Sequence, residues 1–226
     1  MSVYRSTYHY GNLRAALTDA ALELARRGGP AMVTVRGVAR CVGVTPPAAY
    51  RHFAEVRELQ DATKDRALTL LSAGIDDAIG LVAEAAGPVA SAASAAAGIR
   101  AVAEVYMAFA RSSPGLFAMA CHGTVETIRA LMTERLNPYL DVLAARRPGM
   151  GFALWSAVHA LAVLTVEEPA RNESVVAEVS AVSAASAVSA DEVLDTVLAW
   201  IAGDVLGAGD EAAADAHEAA SAGRFA

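Results

Sequence analysis

Three features of this sequence predict an all-α chain. Alanine and leucine recur throughout its 226 residues, and proline is sparse at 8. Apolar side chains return at intervals of three and four rather than two. Strand-favouring runs are short. Hydrophobic residues make up 55% of the chain, enough for a full core without disulfides. The length suits one generous domain, or a small domain followed by a larger one.

Residues 1–11 read as an arm. Leu13, Ala16, Leu17, Ala20, Ala21 and Leu24 then mark a first helix, with Arg14, Asp19, Glu23 and Arg26 on its other face. Asn12 is placed to cap it, and Gly28, Gly29 and Pro30 stop it. Thr34 caps a short second helix that reaches Cys41. Val42-Gly43-Val44 makes a turn, and Thr45 caps a third helix. Pro46 and Pro47 sit in the first turn of that helix, where a missing N–H costs little. A long fourth helix runs from about Val56 to about Ala86, and Gly87-Pro88 breaks it. The rest is also helical. Residues 89–98 open the helix that carries Val102, Val105, Tyr106 and Phe109. Residues 169–190 read as a loop with some helix, and residues 207–226 as a fraying tail.

The 17-residue segment from Met150 to Val166 is apolar enough to raise the question of a membrane span. It is short for that purpose, His159 lies in its middle, and Glu167 and Glu168 follow it without a basic cluster. A helix that is apolar all round is better read as buried in a core or an oligomer interface. No charged and then apolar stretch opens the chain, so no secretory signal is expected. Cys41 and Cys121 match no metal-ligand spacing, which fits a reduced, cytoplasmic setting. No phosphate loop or metal-ligand cluster occurs, so neither metal nor cofactor is expected.

Formal charge is −7 overall but unevenly spread. Residues 1–70 hold 10 basic and 6 acidic side chains, whereas the remainder holds 8 basic and 19 acidic. A basic module joined to an acidic body suits focal DNA contact and argues against a nonspecific nucleic-acid coat. Chance clustering gives the same split, and charge alone does not separate the two.

Residues 34–53, TVRGVARCVGVTPPAAYRHF, have the pattern of a helix-turn-helix. Val38, Ala39, Val44, Ala49 and Phe53 are suited to close a small core between the two helices. Arg36, Thr45, Pro46, Pro47, Ala48, Tyr50, Arg51 and His52 are left facing outward. The pattern also fits an ordinary helical hairpin with a basic, solvated face.

The stretch YHYGNLRAALTDAALELARRGGPAMVTVRGVARCVGVTPPAAYRHFAEVREL resembles the DNA-binding domain of the tetracycline-repressor (TetR) family of bacterial regulators. The likeness rests on an aliphatic first helix ending near Gly-Gly, then Thr-Val-Arg, Val-Gly-Val and Tyr-Arg-His-Phe, with Glu58-Leu59 opening the fourth helix. It implies an N-terminal domain over residues 1–55 and a helical effector-binding and dimerisation domain over 56–206. It also implies roles for individual residues. Thr34 and Thr45 would hold phosphates at helix N-termini. Arg36 would reach a base edge, most naturally guanine. Pro46, Pro47 and Ala48 would touch thymine methyls or permit close approach. Tyr50 and His52 would meet the DNA backbone, and Arg51 backbone or base. The family commonly has a phosphate-binding lysine three residues after the phenylalanine; here that position is Val56, with Arg57 beside it. Trp155-Ser-Ala-Val-His159-Ala-Leu is similar to the Trp/His-Gly helix of one subgroup of regulatory domains, with Ala160 in place of the usual glycine.

Function then follows as repression. A homodimer would occupy palindromic double-stranded operator DNA, and a small effector would release it. Phe152, Trp155 and Val166 on one helix, and Leu194, Val197, Leu198, Ile201 and Val205 on the next, would form the dimer interface. Tyr106, Phe109, Phe117, His122, Trp155 and His159 would line an effector pocket, although an aromatic and methionine stripe is equally the composition of a packed core. A helical scaffold protein without DNA contact is the other class that the sequence allows, and an all-α enzyme is a more distant third. The adjacent Cys121 and His122 point in different directions on a helix and lack an orienting third group, which argues against a nucleophile.

Overall fold

In a computed structural model of the chain, the described residues are 12–143 and 149–167, together with Glu192, Asp195, Thr196 and Ala199. Among them are eight α-helices, one 3-10 turn and no strand. They fall into two compact units, one within Met1–Leu71 and Ser112–Ile128, the other within Ser72–Arg111 and Arg129–Ala226.

The first unit begins with α1 (Leu13–Gly28), where the Asn12 side chain accepts the Ala15 N–H at 3.1 Å. Its buried stripe is Ala16, Leu17, Ala21 and Ala25. The Gly29 N–H closes on the Ala25 carbonyl at 2.7 Å, and a 3-10 turn over Pro30–Met32 leads to α2 (Val35–Val42). Thr34 caps α2 by accepting the Gly37 N–H at 3.0 Å. Gly43 ends α2 in the left-handed region at φ 80°, a conformation that side chains with a Cβ resist. α3 (Pro46–Tyr50) follows after three residues, with proline at its first two positions. α4 spans Val56–Ala86, and the division between the units falls inside it.

A later part of the chain returns to this first unit. α6 (Pro114–Ala120) packs on α1, burying Leu116, Phe117, Met119 and Ala120. Gly115 allows the approach. A Cβ there would sit 2.8 Å from the Arg26 carbonyl oxygen and 3.0 Å from the Gly29 nitrogen, and would collide with the Ala25 carbonyl oxygen. The loop after α6 is pinned to α4 by Lys64, a lysine only 7% exposed, whose Nζ donates to the His122 and Thr124 carbonyls at 2.8 and 2.5 Å. Two carbonyl acceptors offset the cost of taking that ammonium out of water.

The second unit holds the rest of α4, α5 (Ala92–Ser112) up to Arg111, α7 (Glu126–Val142) from Arg129, and α8 (Met150–Glu167). Ile99, Val102, Ala103 and Tyr106 of α5, Met132, Leu136 and Tyr139 of α7, and Leu154, Trp155, Val158 and Ala162 of α8 form its buried set. The Tyr139 ring lies so close over Gly98 that no Cβ would fit between them. Arg135 donates to Ser72 Oγ at 2.9 Å and pairs with Asp76 at 3.3 Å, tying α7 to α4. No helix among the described residues is long and apolar enough to cross a membrane.

Candidate nucleic-acid interface and aromatic cluster

Between α2 and α3 the core closes as the residue pattern demands. Val38, Ala39, Ala49 and Phe53 are fully buried, and Val44 is half-buried. The small side chains at Ala39 and Ala49 let the helices cross closely, and Phe53 fills the space behind α3. That burial turns the polar residues outward. Thr34, Arg36, Thr45, Pro46, Pro47, Tyr50, Arg51 and Arg57 are exposed, while Ala48 and His52 are half-buried. Arg40 adds a further exposed cation on α2. Thr45 occupies the position before α3 but makes no side-chain capping bond; its carbonyl accepts the Ala48 and Ala49 N–H groups at 2.9 and 3.2 Å. Pro46 and Pro47 bring no N–H, so the start of α3 offers an anion fewer donors than an ordinary helix terminus. At the start of α4 the Glu58 carboxylate accepts the Ala54 N–H at 2.8 Å, an acidic cap where the helix dipole favours one.

Helical periodicity assigns Arg14 to the solvated face of α1, and it is exposed there. From that position its guanidinium also lies 4.2 Å from the centre of the Phe53 ring and donates to the His52 carbonyl. Nothing local in the sequence signals this contact, since it joins residues 38 apart.

Residues 17–62, the segment that contains these helices, match the family model of bacterial regulatory proteins of the tetR family. That likeness covers most of α1, all of α2 and α3, and the start of α4, and it does not extend to the rest of the chain. The solved structure of a tetR-family transcriptional regulator from Streptomyces coelicolor is similar over 95% of this chain and 100% of its own, at 19% identity and a TM-score of 0.49. No curated protein matches the chain.

The second unit brings together three of the aromatic residues singled out in the sequence. Tyr106 is fully buried, and its hydroxyl is 2.7 Å from His159 Nδ1. The Trp155 and His159 rings stack at 4.9 Å with 14° between their planes. Burial lowers the pKa of His159 below its ordinary value, because the charged imidazolium is the form that loses most solvation. The indole Nε1 of Trp155 is buried without a hydrogen-bond partner among the described residues. An unmade bond of that kind is costly and unusual in a core. Phe109 is half-buried in the same unit, and Phe152, 52% exposed, lies 5.9 Å from Trp155 between ring centres. Val166 is half-buried on α8. Phe117 and His122 belong to the first unit, the former buried in α6 and the latter exposed after it.

Cys121 precedes that histidine. Burial pushes its thiol up to about 11, with the Lys64 ammonium only partly offsetting the rise. It is therefore a protonated thiol at neutral pH and a poor nucleophile. Among the described residues no group of three or more His, Cys, Asp or Glu side chains is placed to hold a metal. Leu194, Val197, Leu198, Ile201 and Val205 lie outside the described residues, as do the arm at 1–11, the stretch 169–190 and the tail at 207–226.

Proposed function

We propose that this chain is a DNA-binding transcriptional regulator of the tetR family, a cytoplasmic repressor that binds a palindromic operator as a homodimer and is released by a small, largely apolar effector. The observation that carries the DNA-binding part is the outward presentation of Arg36, Tyr50 and Arg51 over a closed core of Val38, Ala39, Ala49 and Phe53. In this reading Arg36 reads a base edge, and Arg51 reads a base or neutralises phosphate. Thr34, whose oxygen accepts the Gly37 N–H, keeps its hydroxyl hydrogen for a phosphate. Thr45 contributes its hydroxyl, Tyr50, His52 and Arg57 meet the backbone, and Pro46, Pro47 and Ala48 form an apolar edge for thymine methyls.

The remaining parts of the reading rest on residues 56–206. Phe152 and the half-buried Val166, with Trp155 beneath Phe152, would meet a second copy of the chain, joined by Leu194, Val197, Leu198, Ile201 and Val205. Tyr106, Phe109, Trp155 and His159 would line the effector pocket, with the unpartnered indole N–H and the Tyr106–His159 pair as its polar handles. Phe117 and His122, the other two residues expected there, belong to the first unit. The acidic balance of the chain after residue 70 disfavours a polyanionic effector.

Selection of duplexes from a random-sequence pool tests the DNA reading, followed by mobility shifts over a range of salt. A sequence-selective, salt-dependent shift on a palindromic fragment is expected; a chain that selects nothing is the scaffold protein of the alternative. Screening mixed compounds for release of that DNA tests the effector. If only nucleotides, sugar phosphates or other highly charged species release it, the apolar-effector reading fails.

A further inference from the structure

α3 is a fragile element on which to place DNA readout. It has five residues, two of them prolines without an N–H. A helix this short does not persist through its own hydrogen bonds. Past its end, the His52 and Phe53 N–H groups donate to the Ala49 carbonyl at 3.0 and 3.1 Å. The carbonyls at a helix end lack the full set of intrahelical donors and take others where they can. The Arg14 guanidinium meets this end twice, donating to the His52 carbonyl oxygen and lying over the face of the fully buried Phe53 ring. Arg14 is itself fixed, because it stands in the first turn of a helix capped by Asn12.

We propose that Arg14 is a positioning residue for sequence recognition, bracing the C-terminal end of α3 so that Tyr50 and Arg51 are presented in one register. The proposal rests on α3 being the helix that enters the major groove. A charged donor on a carbonyl and a cation on an aromatic face are both stronger than their neutral counterparts. Nonspecific binding is counterion release, which tolerates a loose α3; base readout does not. The brace therefore acts on selectivity. A direct Arg14–phosphate contact would act on all DNA alike.

The test uses the full chain and the duplex that it selects from a random pool, with a scrambled duplex as the reference. Arg14→Gln should lower the ratio of selected to scrambled affinity about tenfold while leaving the salt slope at its wild-type value. Arg14→Lys, which keeps a cation and a donor, should lose less. In the free protein the His52 and Phe53 amides should exchange faster with solvent in Arg14→Gln, with thermal stability otherwise retained. If the Gln variant unfolds, the Lys variant carries the same comparison. An equal loss on both duplexes with the slope reduced by about 1 makes Arg14 a phosphate ligand and overturns the brace. An unchanged ratio also overturns it. Should the wild-type chain select no sequence, the DNA reading is what fails. The amide exchange then decides the brace alone, and unchanged exchange rejects it.

Discussion

Arg36 and Arg51 both stand exposed on the helix-turn-helix, and on the proposed reading they would separate two components of DNA affinity. Arg36→Ala should cost about 1–3 kcal/mol on the preferred operator and relax selectivity at one base position. Arg51→Ala, if Arg51 only neutralises phosphate, should weaken all sequences alike and lower the salt slope by about 1. Full operator affinity in both variants, measured by fluorescence anisotropy, would reject the assignment of these helices to the groove. His159 makes a different prediction. Its folded-state pKa is depressed from 6.5 by burial, so below that pH the unfolded chain takes up a proton that the folded cluster resists. Stability should fall as pH drops through 6.5 and level off below the folded value. His159→Gln should flatten that part of the profile while the contributions of the other histidines remain. An identical slope in chemical denaturation of wild type and variant would place the proton uptake elsewhere.

The contact between α1 and α6 is decided by one missing side chain. Gly115→Ala would drive a methyl group into the carbonyls at the end of α1, and overpacking against backbone costs about 1–3 kcal/mol. Denaturant unfolding followed by circular dichroism measures the loss; a variant as stable as wild type would mean that the seam gives way without penalty. The elements differ in how legible they were from the residues. The Asn12 and Thr34 caps, the Gly43 turn and both ends of α4 could be read, because caps and breakers act within a few residues of themselves. The outward set on α2 and α3 was legible for the same reason, since a buried phenylalanine and two alanines leave the rest little choice. Long-range partners were not. Periodicity gives Arg14 to solvent, where it is, but not its contact with His52 and Phe53, and no local signal brings residues 112–128 back to the first unit. Composition likewise groups Phe117 and His122 with Tyr106 and His159, although the fold assigns the pairs to different units.

For the whole molecule, the proposed operator recognition would depend on dimerisation, because a palindrome presents its half-sites roughly 34–36 Å apart. Leu198 is the residue to charge. Leu198→Glu should give monomers or aggregates with poor operator binding, and a fully active, dimeric variant by light scattering and gel shift would move the interface elsewhere. The first unit also has a consequence for the order of events during synthesis. Its first stretch ends at Leu71, yet it is completed only by residues 112–128, so 57 residues separate the two points at which its parts leave the ribosome. At roughly 5–20 residues per second, the nascent head waits on the order of 3–11 s with the α6-facing side of α1 uncovered. The unit that carries the helix-turn-helix is thus finished late, after α5 has already emerged.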